Sequence, residues 1–456
     1  MNKKLYALLL ALSLVLSCLA GCDSAPADGT DPTVTTTVGG PEIIDYAASV
    51  KLDMDSDTLK QEVTVKSFID GDTTHFFVPE TVVHTGLLKA RYLAVNTPES
   101  TGKIEQWGKK AASFTREKLE NADSIIIESD NNTWNLDSTG ERHLVWVWYR
   151  PAGQETYRNL NIELLQNGLS IASNSAENQY GETCMAAIGQ AKAQGLHMHS
   201  KEKDPDFYYG DAVPVTLKGL RTNIEQYEGI KVAFEGVITY ESGQTVYAEE
   251  YDAETDMYYG MTVYYGFNLT GTGLEILEPG NRVAFVGSVQ YYETGGTWQI
   301  SDIKYVDMRP NDPNNIQLIS QGHEPANRLT PPARLLDGVM AVEIVLDAEH
   351  EVTAMQTFPY AQLALSTSVS MENLQVVSIY TTSNEDSSSK GAMTLTCVAD
   401  GKYIDVRTAV LRDTEGNLIT ADAYQGKTIN VTGIVDYFSD SYQIKVFSPD
   451  DITIVG

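Results

Sequence analysis

At 456 residues the chain is long enough for about three domains of the usual ~150 residues. Its 42% hydrophobic content excludes a wholly disordered chain, and its net charge of −30 excludes a protein that holds nucleic acid by overall charge alone. The charge is uneven, however: residues 60–203 carry 15 Lys+Arg against 18 Asp+Glu, so nearly all of the net acid lies elsewhere. A local cationic site can therefore coexist with an anionic remainder, with weak non-specific affinity for polyanions and strong salt sensitivity.

Residues 1–22 read as a bacterial lipoprotein signal. Lys3 and Lys4 give a charged start, Leu5 to Leu16 is almost wholly apolar, and Leu19-Ala20-Gly21-Cys22 supplies small residues before a cysteine to be lipidated. The apolar run is too short for a membrane span, and no later segment approaches the ~20 apolar residues of a transmembrane helix. The expected location is the outer face of the bacterial cytoplasmic membrane, with lipid on Cys22 as the anchor. Asp23 to Glu42 is Thr, Pro, Ala, Asp and Gly without apolar periodicity, and a flexible tether is expected over 23–55. After signal removal Cys184 and Cys397 remain, far apart and without metal-ligand spacing.

A first folded domain is expected over 56–203. Val63, Val65 and Phe68 precede an Asp70-Gly71 turn, and Phe76-Phe77-Val78 and Lys89 to Val95 follow as strands. Trp107, Ala111, Phe114 and Leu119 predict a helix over 104–121. Ile125-Ile126-Ile127 and Leu144 to Trp148 return to strand, and Trp146 and Trp148 alternate as core residues. Two further helices are expected at about 161–167 and 182–194, closed by Gly168 and Gly195. Strands first, then about three helices, describe a small barrel with helices against it.

The remainder is all-β in pattern and repeats itself. Gly280-x-x-Val283-x-Phe285-x-Gly287 runs on through Tyr291-Tyr292 to Trp298-Gln299-Ile300. Gly426-x-x-Ile429-x-Val431-x-Gly433 runs on through Tyr437-Phe438 to Tyr442-Gln443-Ile444, and Gly229 to Gly236 repeats the first part. Apolar alternation between glycines suits strands that bend sharply around a small barrel. Segments 211–309 and 336–456 resemble OB-fold modules, joined by a connector over 310–335 that holds five prolines. Tyr291, Tyr292, Trp298, Tyr437 and Tyr442 could stack bases, but no basic groove accompanies them, so a structural or protein-binding role stands beside that reading.

The chemistry lies in the first domain, in five separated pieces. They are Asp70-Gly71-Asp72-Thr73, Arg91, Asn96-Thr97-Pro98-Glu99, Trp107-Gly108-Lys109-Lys110-Ala111, and Asp137 to Arg142. They supply oxygen ligands for a hard cation, a carboxylate able to act as a base, and two guanidinium groups, which together suit hydrolysis of a phosphate diester. In this order and spacing, residues 60–200 resemble the thermonuclease, or staphylococcal nuclease-like, family. The resemblance implies an OB-fold barrel, calcium as cofactor with no organic cofactor, and DNA or RNA as substrate, cleaved to leave 3′-phosphate ends. It also implies that Asp72, Asn96 and the Thr97 carbonyl ligate calcium, that Glu99 activates water, and that Arg91 and Arg142 hold the phosphate. A non-catalytic nucleic-acid-binding lipoprotein is the alternative.

The chain departs from the family pattern. Asn96 stands where an aspartate is usual, which removes one negative charge from the ligand set and should weaken calcium binding. Glu141 is an apparent insertion before Arg142, and Thr139 stands where a tyrosine is usual. Asp70 reads as a turn residue rather than a ligand.

Overall fold

The computed structural model describes residues 43–267, 269–293, 295–347, 352–384 and 387–455. The expected signal, Cys22 and the expected tether up to residue 42 lie outside them. The folded unit begins at Asp45, ahead of the boundary expected at 56. The short helix α1 (Tyr46–Ser49) buries Ala47, and Asp45 pairs with Arg158, so residues 45–49 belong to the first domain and not to a tether.

The chain is mainly β, and three barrels with one topology follow each other. In the first, β1 (Lys60–Asp70), β2 (Thr73–Phe77) and β3 (Leu87–Tyr92) form a meander, and β4 (Val95–Asn96) is a short offshoot. Helix α2 (Gly108–Glu120) leads to β5 (Ala122–Glu128) and β6 (His143–Pro151). β1 is long enough to serve two partners. Its Lys60–Val63 half pairs with β5 and its Thr64–Asp70 half with β2, with register shifts that let it bend. A parallel pairing of β3 with β6, Arg91 beside Leu144, closes the ring. Phe76, Leu88, Tyr92 and Val145 fill it.

β6 is buried on both faces. Trp146 and Trp148 are fully buried, each edge-on to Tyr180, and their indole N–H groups donate to Asp130 and Glu128. Helices α3 (Leu160–Gln166) and α4 (Gly181–Gln194) pack on this side, linked through short strands β7 (Arg158–Asn159) and β8 (Ile171–Ala172). Asn161 ties helix to barrel: its amide donates to the carbonyls of Leu93 and Val145 and accepts from the Val147 N–H.

After β9 (Val213–Pro214), the second barrel is built from β10 (Lys231–Ser242), β11 (Thr245–Asp252), β12 (Met257–Tyr264), β13 (Arg282–Tyr292) and β14 (Thr297–Ser301). β13 pairs with β10, and β14 lies parallel to β12. β15 (Gln317–Ser320) pairs with β13 at the sheet edge, and Asn315, Ile316 and Thr330 are buried. The expected free connector over 310–335 is therefore corrected. Its prolines punctuate a segment that adds a strand to the second barrel and, through β16 (Arg328–Leu329), one to the third.

The hairpin of β17 (Val339–Asp347) and β18 (Val352–Pro359) precedes the third barrel and stands outside its sheet. The third barrel then comprises β19 (Ser368–Thr381), β20 (Met393–Ala399), β21 (Lys402–Thr408), β22 (Thr428–Phe438) and β23 (Ser441–Val446), with β24 (Ile452–Ile454) at the edge. β22 pairs with β19, and β23 lies parallel to β21, so the strand order matches the first two barrels. The repeat is thereby explained. A Cβ at Gly287 would sit 2.5 Å from Ile300, and one at Gly433 2.4 Å from the Lys445 carbonyl, because in each barrel the fifth strand packs closely on the fourth there. Hydrophobic residues of the second and third barrels form one continuous cluster, separate from that of the first. Among the described residues no helix is long and apolar enough to cross a membrane.

Candidate active site

The β1–β2 turn carries polar groups into the interior. Asp70 and Asp72 are 6% and 1% exposed. The turn fits because Gly71 has no side chain: a Cβ there would meet Ala111 and Thr97 at 2.9 Å. Thr115, one helical turn beyond Ala111, donates its hydroxyl to the Gly71 carbonyl at 2.6 Å. Helix α2 thus pins the turn, and the Trp-Gly-x-x-Ala spacing places the small face of that helix against it. α2 starts at Gly108, later than the expected residue 104. Trp107 has φ +68° and donates its N–H to Asp204, and a Cβ on Gly108 would lie 2.3 Å from the Glu99 carbonyl.

Asp72 is surrounded by donors. The Thr97 N–H reaches Oδ2 at 2.8 Å, the Thr73 hydroxyl reaches Oδ1 at 3.0 Å, and the Arg91 guanidinium donates to Oδ1. The other arm of Arg91 donates to Asn96 Oδ1, whose backbone N–H is held by the Ser170 hydroxyl at 2.9 Å. Burial raises the Asp72 carboxyl above its ordinary value, against the opposing pull of the Arg91 charge and the Thr97 hydrogen bond. The Thr97 hydroxyl is buried without a hydrogen-bond partner.

Glu99 is exposed on the loop after β4. Asp70 joins it to the buried turn. The Asp70 carboxyl accepts from the Gly71 N–H at 2.8 Å and the Ser100 hydroxyl at 2.7 Å. Burial, then its hydrogen bond and proximity to the Glu99 carboxylate, push it up to about 8. The Glu99 carboxyl is thus close enough to the Asp70 carboxyl to favour the protonated form of Asp70.

Arg142 lies just before β6, whose residue Leu144 is registered beside Arg91. Its guanidinium is gripped by Asp137, with Nε donating at 2.7 Å. Asp137 also accepts from the Thr139 hydroxyl at 2.6 Å. Burial would raise the Asp137 carboxyl, but the hydrogen bonds from Thr139 and Arg142 hold it down to about 2. The structure therefore brings Asp72, Arg91, Asn96 and Thr97 into one hydrogen-bonded group and sets Glu99 beside it through Asp70. Arg142 lies just before the neighbouring strand β6, engaged with its own loop.

Residues 89–201 match the family described as staphylococcal nuclease homologue. This part of the chain is a staphylococcal nuclease-like domain. The match begins within β3, and β1 and β2, which carry the Asp70–Thr73 turn, complete the same barrel. No curated protein matches the chain.

Calcium is the cofactor that the resemblance implies. Asp72 and Asn96 both turn an oxygen to one cation, the Arg91 guanidinium. An oxygen-only donor set centred on a buried carboxylate fits a hard cation. The set is lean in charge: among the described residues no three His, Cys, Asp or Glu side chains cluster as a metal site. His197 bonds the Asn167 carbonyl through Nδ1 and packs edge-on to Trp107.

A cleft of about 1210 Å³ separates the nuclease-like domain from the two barrels, reaching Asp70 and Ser100 on one wall and Trp298 and Tyr437 on the other. Tyr291 packs on Trp298 and Tyr437 on Tyr442, with ring centroids 5.1 and 5.0 Å apart. The cations of the cleft are already paired. Lys109 and Arg116 meet Glu228 and Glu293 of the second barrel, and Lys445 donates to the Tyr247 hydroxyl. Sequence reading missed Thr115, Ser100 and Ser170, which hold the site in place. Only Thr115 had a signal, four residues after Ala111 on the same helical face.

Proposed function

We propose that the chain is a surface-anchored, calcium-dependent nuclease that hydrolyses phosphodiester bonds of DNA or RNA, leaving 3′-phosphate ends. The single observation that carries this reading is the convergence of Asp72, Arg91, Asn96 and Thr97 in one hydrogen-bonded group, with Glu99 beside it. Asp72, Asn96 and the Thr97 carbonyl would hold calcium, which when bound supplies positive charge to the phosphate oxygens.

The chain's own groups do the rest. Glu99, exposed and carboxylate-bearing, takes a proton from a water that attacks phosphorus in line, while the P–O5′ bond breaks and the leaving 5′ oxygen takes a proton from solvent. Asp70 is buried at the turn and engaged by the Gly71 N–H and the Ser100 hydroxyl, so it is not free to meet the attacking water as a second base. Arg91 and Arg142 present planar donors to the phosphate oxygens and stabilise the charge that builds on them. Asp72 and Asn96 take two of the five N–H donors of Arg91, so the ligand set and the phosphate grip share one arginine. The lipid anchor on Cys22 would place this chemistry outside the cytoplasmic membrane, where extracellular nucleic acid is the available substrate.

The test is Glu99→Gln assayed on single-stranded and duplex DNA and RNA, in calcium and in chelator. Loss of ~10²–10⁴ in turnover with calcium-dependent binding retained is expected for a general base; unchanged turnover would sink the assignment. The second reading, a nucleic-acid-binding domain without catalysis, is favoured by Asn96, which leaves Asp72 as the one carboxylate in the ligand set. It predicts substrate that is bound by the unaltered protein and survives intact at millimolar calcium.

A further inference from the structure

The loop bearing Glu99 is held by the second barrel as well as by its own domain. Gln290, on β13, donates from Nε2 to the Ser100 carbonyl at 2.6 Å and accepts at Oε1 from the Gly102 N–H at 3.3 Å. The Asp302 N–H, just past β14, donates to the Gly102 carbonyl at 2.7 Å. Asp302 holds φ +56°, a left-handed backbone that a non-glycine residue adopts at some cost and that aims this N–H at the loop. Within the domain, the loop is closed by the Glu105 N–H on the Glu99 carbonyl at 2.9 Å and by the Glu105 carboxylate on the Glu99 N–H at 3.2 Å.

Ser100 is therefore gripped from two sides. Its hydroxyl goes to Asp70 at the buried turn, and its carbonyl goes to Gln290. We propose that Gln290 is a positioning residue for the nuclease reaction, through which the second barrel holds the Glu99 loop in its working geometry. This rests on the nuclease reading of the same site. The physical argument is one of placement. A base on an exposed loop must be kept within a fraction of an ångström of its water, and a displacement of ~1 Å can cost ~10²-fold in rate. Three hydrogen bonds from a rigid β-barrel do that more firmly than a seven-residue loop can by itself. The second barrel thereby acquires a role that needs no basic groove: it supports catalysis instead of gripping the substrate's phosphates.

The test uses the purified full chain with Gln290→Met, which keeps the length of the side chain on β13 and removes both hydrogen bonds. The expected result is a fall in kcat of about tenfold or more with KM within about twofold. Faster deuterium uptake over residues 99–105 should accompany it, with the melting temperature and the uptake over 231–301 unchanged. Unchanged kcat and loop exchange would overturn the proposal. So would a loss of activity that comes with loosening of the whole second barrel, since Gln290 would then act only on stability. If the unaltered protein cleaves nothing, the nuclease reading fails, while the exchange measurement still reports whether Gln290 holds the loop. An unaltered protein that cleaves, with a Gln290→Met variant of equal kcat, removes the positioning role alone.

Discussion

The first hairpin turn of the nuclease-like barrel and that of the barrel after it occupy the same place in the same topology, and they are built in opposite ways. Asp70-Gly71-Asp72-Thr73 is buried throughout, with two carboxylates under helix α2. Ser242-Gly243-Gln244-Thr245 is open: Gly243 is exposed, has φ +61°, and has nothing within 4 Å of where a Cβ would project. Burying a carboxylate costs several kcal/mol unless donors or a cation compensate. In the first barrel Arg91, Thr97, Thr73 and Ser100 supply those donors. The second barrel has no such expense at its turn and invests instead in an apolar cluster shared with the third. Topology alone therefore says little about which barrel works on a substrate. The polar groups that a barrel keeps out of water, and the partners it recruits for them, say much more.

That contrast makes a direct prediction. Gly71→Ala should drive Thr97 and helix α2 away from the turn, destabilising the protein by ~2 kcal/mol as overpacking does and lowering cleavage by ~10²-fold through misplaced ligands. Gly243→Ala meets no neighbour and should cost only ~1 kcal/mol for its left-handed backbone, with cleavage untouched. Urea unfolding and a cleavage assay on both variants check this, and equal effects at the two turns would remove the distinction.

A second prediction concerns charge in the ligand set. Asn96→Asp restores a carboxylate beside Asp72 and should tighten calcium binding on the order of tenfold, read by calorimetric titration. No change would show that residue 96 does not contact the cation.

The smallest effect is expected at the Asp137–Arg142 loop. Asp137 sits near 2 when folded, below its ordinary value of 3.8. A lowered carboxylate contributes stability that is full above its unfolded pKa and is lost as pH falls through its folded one. The melting temperatures of the unaltered protein and Asp137→Asn should therefore differ at pH 5 and converge towards pH 2. A difference that persists at pH 2 would mean the carboxylate charge is not what holds Arg142.

Much of the candidate site was legible because its residues travel in short local groups. Asp70 to Thr73 is a turn, Asn96 to Glu99 a loop, and Trp107 to Ala111 a helix start with its small face showing. What escaped was the machinery that comes from a distance. The helix was expected from 104 because nothing near Trp107 in sequence shows that its N–H is taken by Asp204, 97 residues on. The prolines of 310–335 suggested a connector, yet Gln317–Ser320 finds an open edge on β13 and joins the sheet.

The sequence by itself determined the mainly β character, the bends marked by repeated glycines, and the types of chemical group available at the site. Turn propensity, alternation and side-chain chemistry are properties of neighbouring residues, so they can be read along the chain. Only the tertiary structure decided that Arg91 bridges Asp72 and Asn96, that Asp70 shares its surroundings with Glu99, and that Gln290 reaches the loop 190 residues before it. Those contacts depend on burial and strand pairing between distant segments, and no local pattern carries that information.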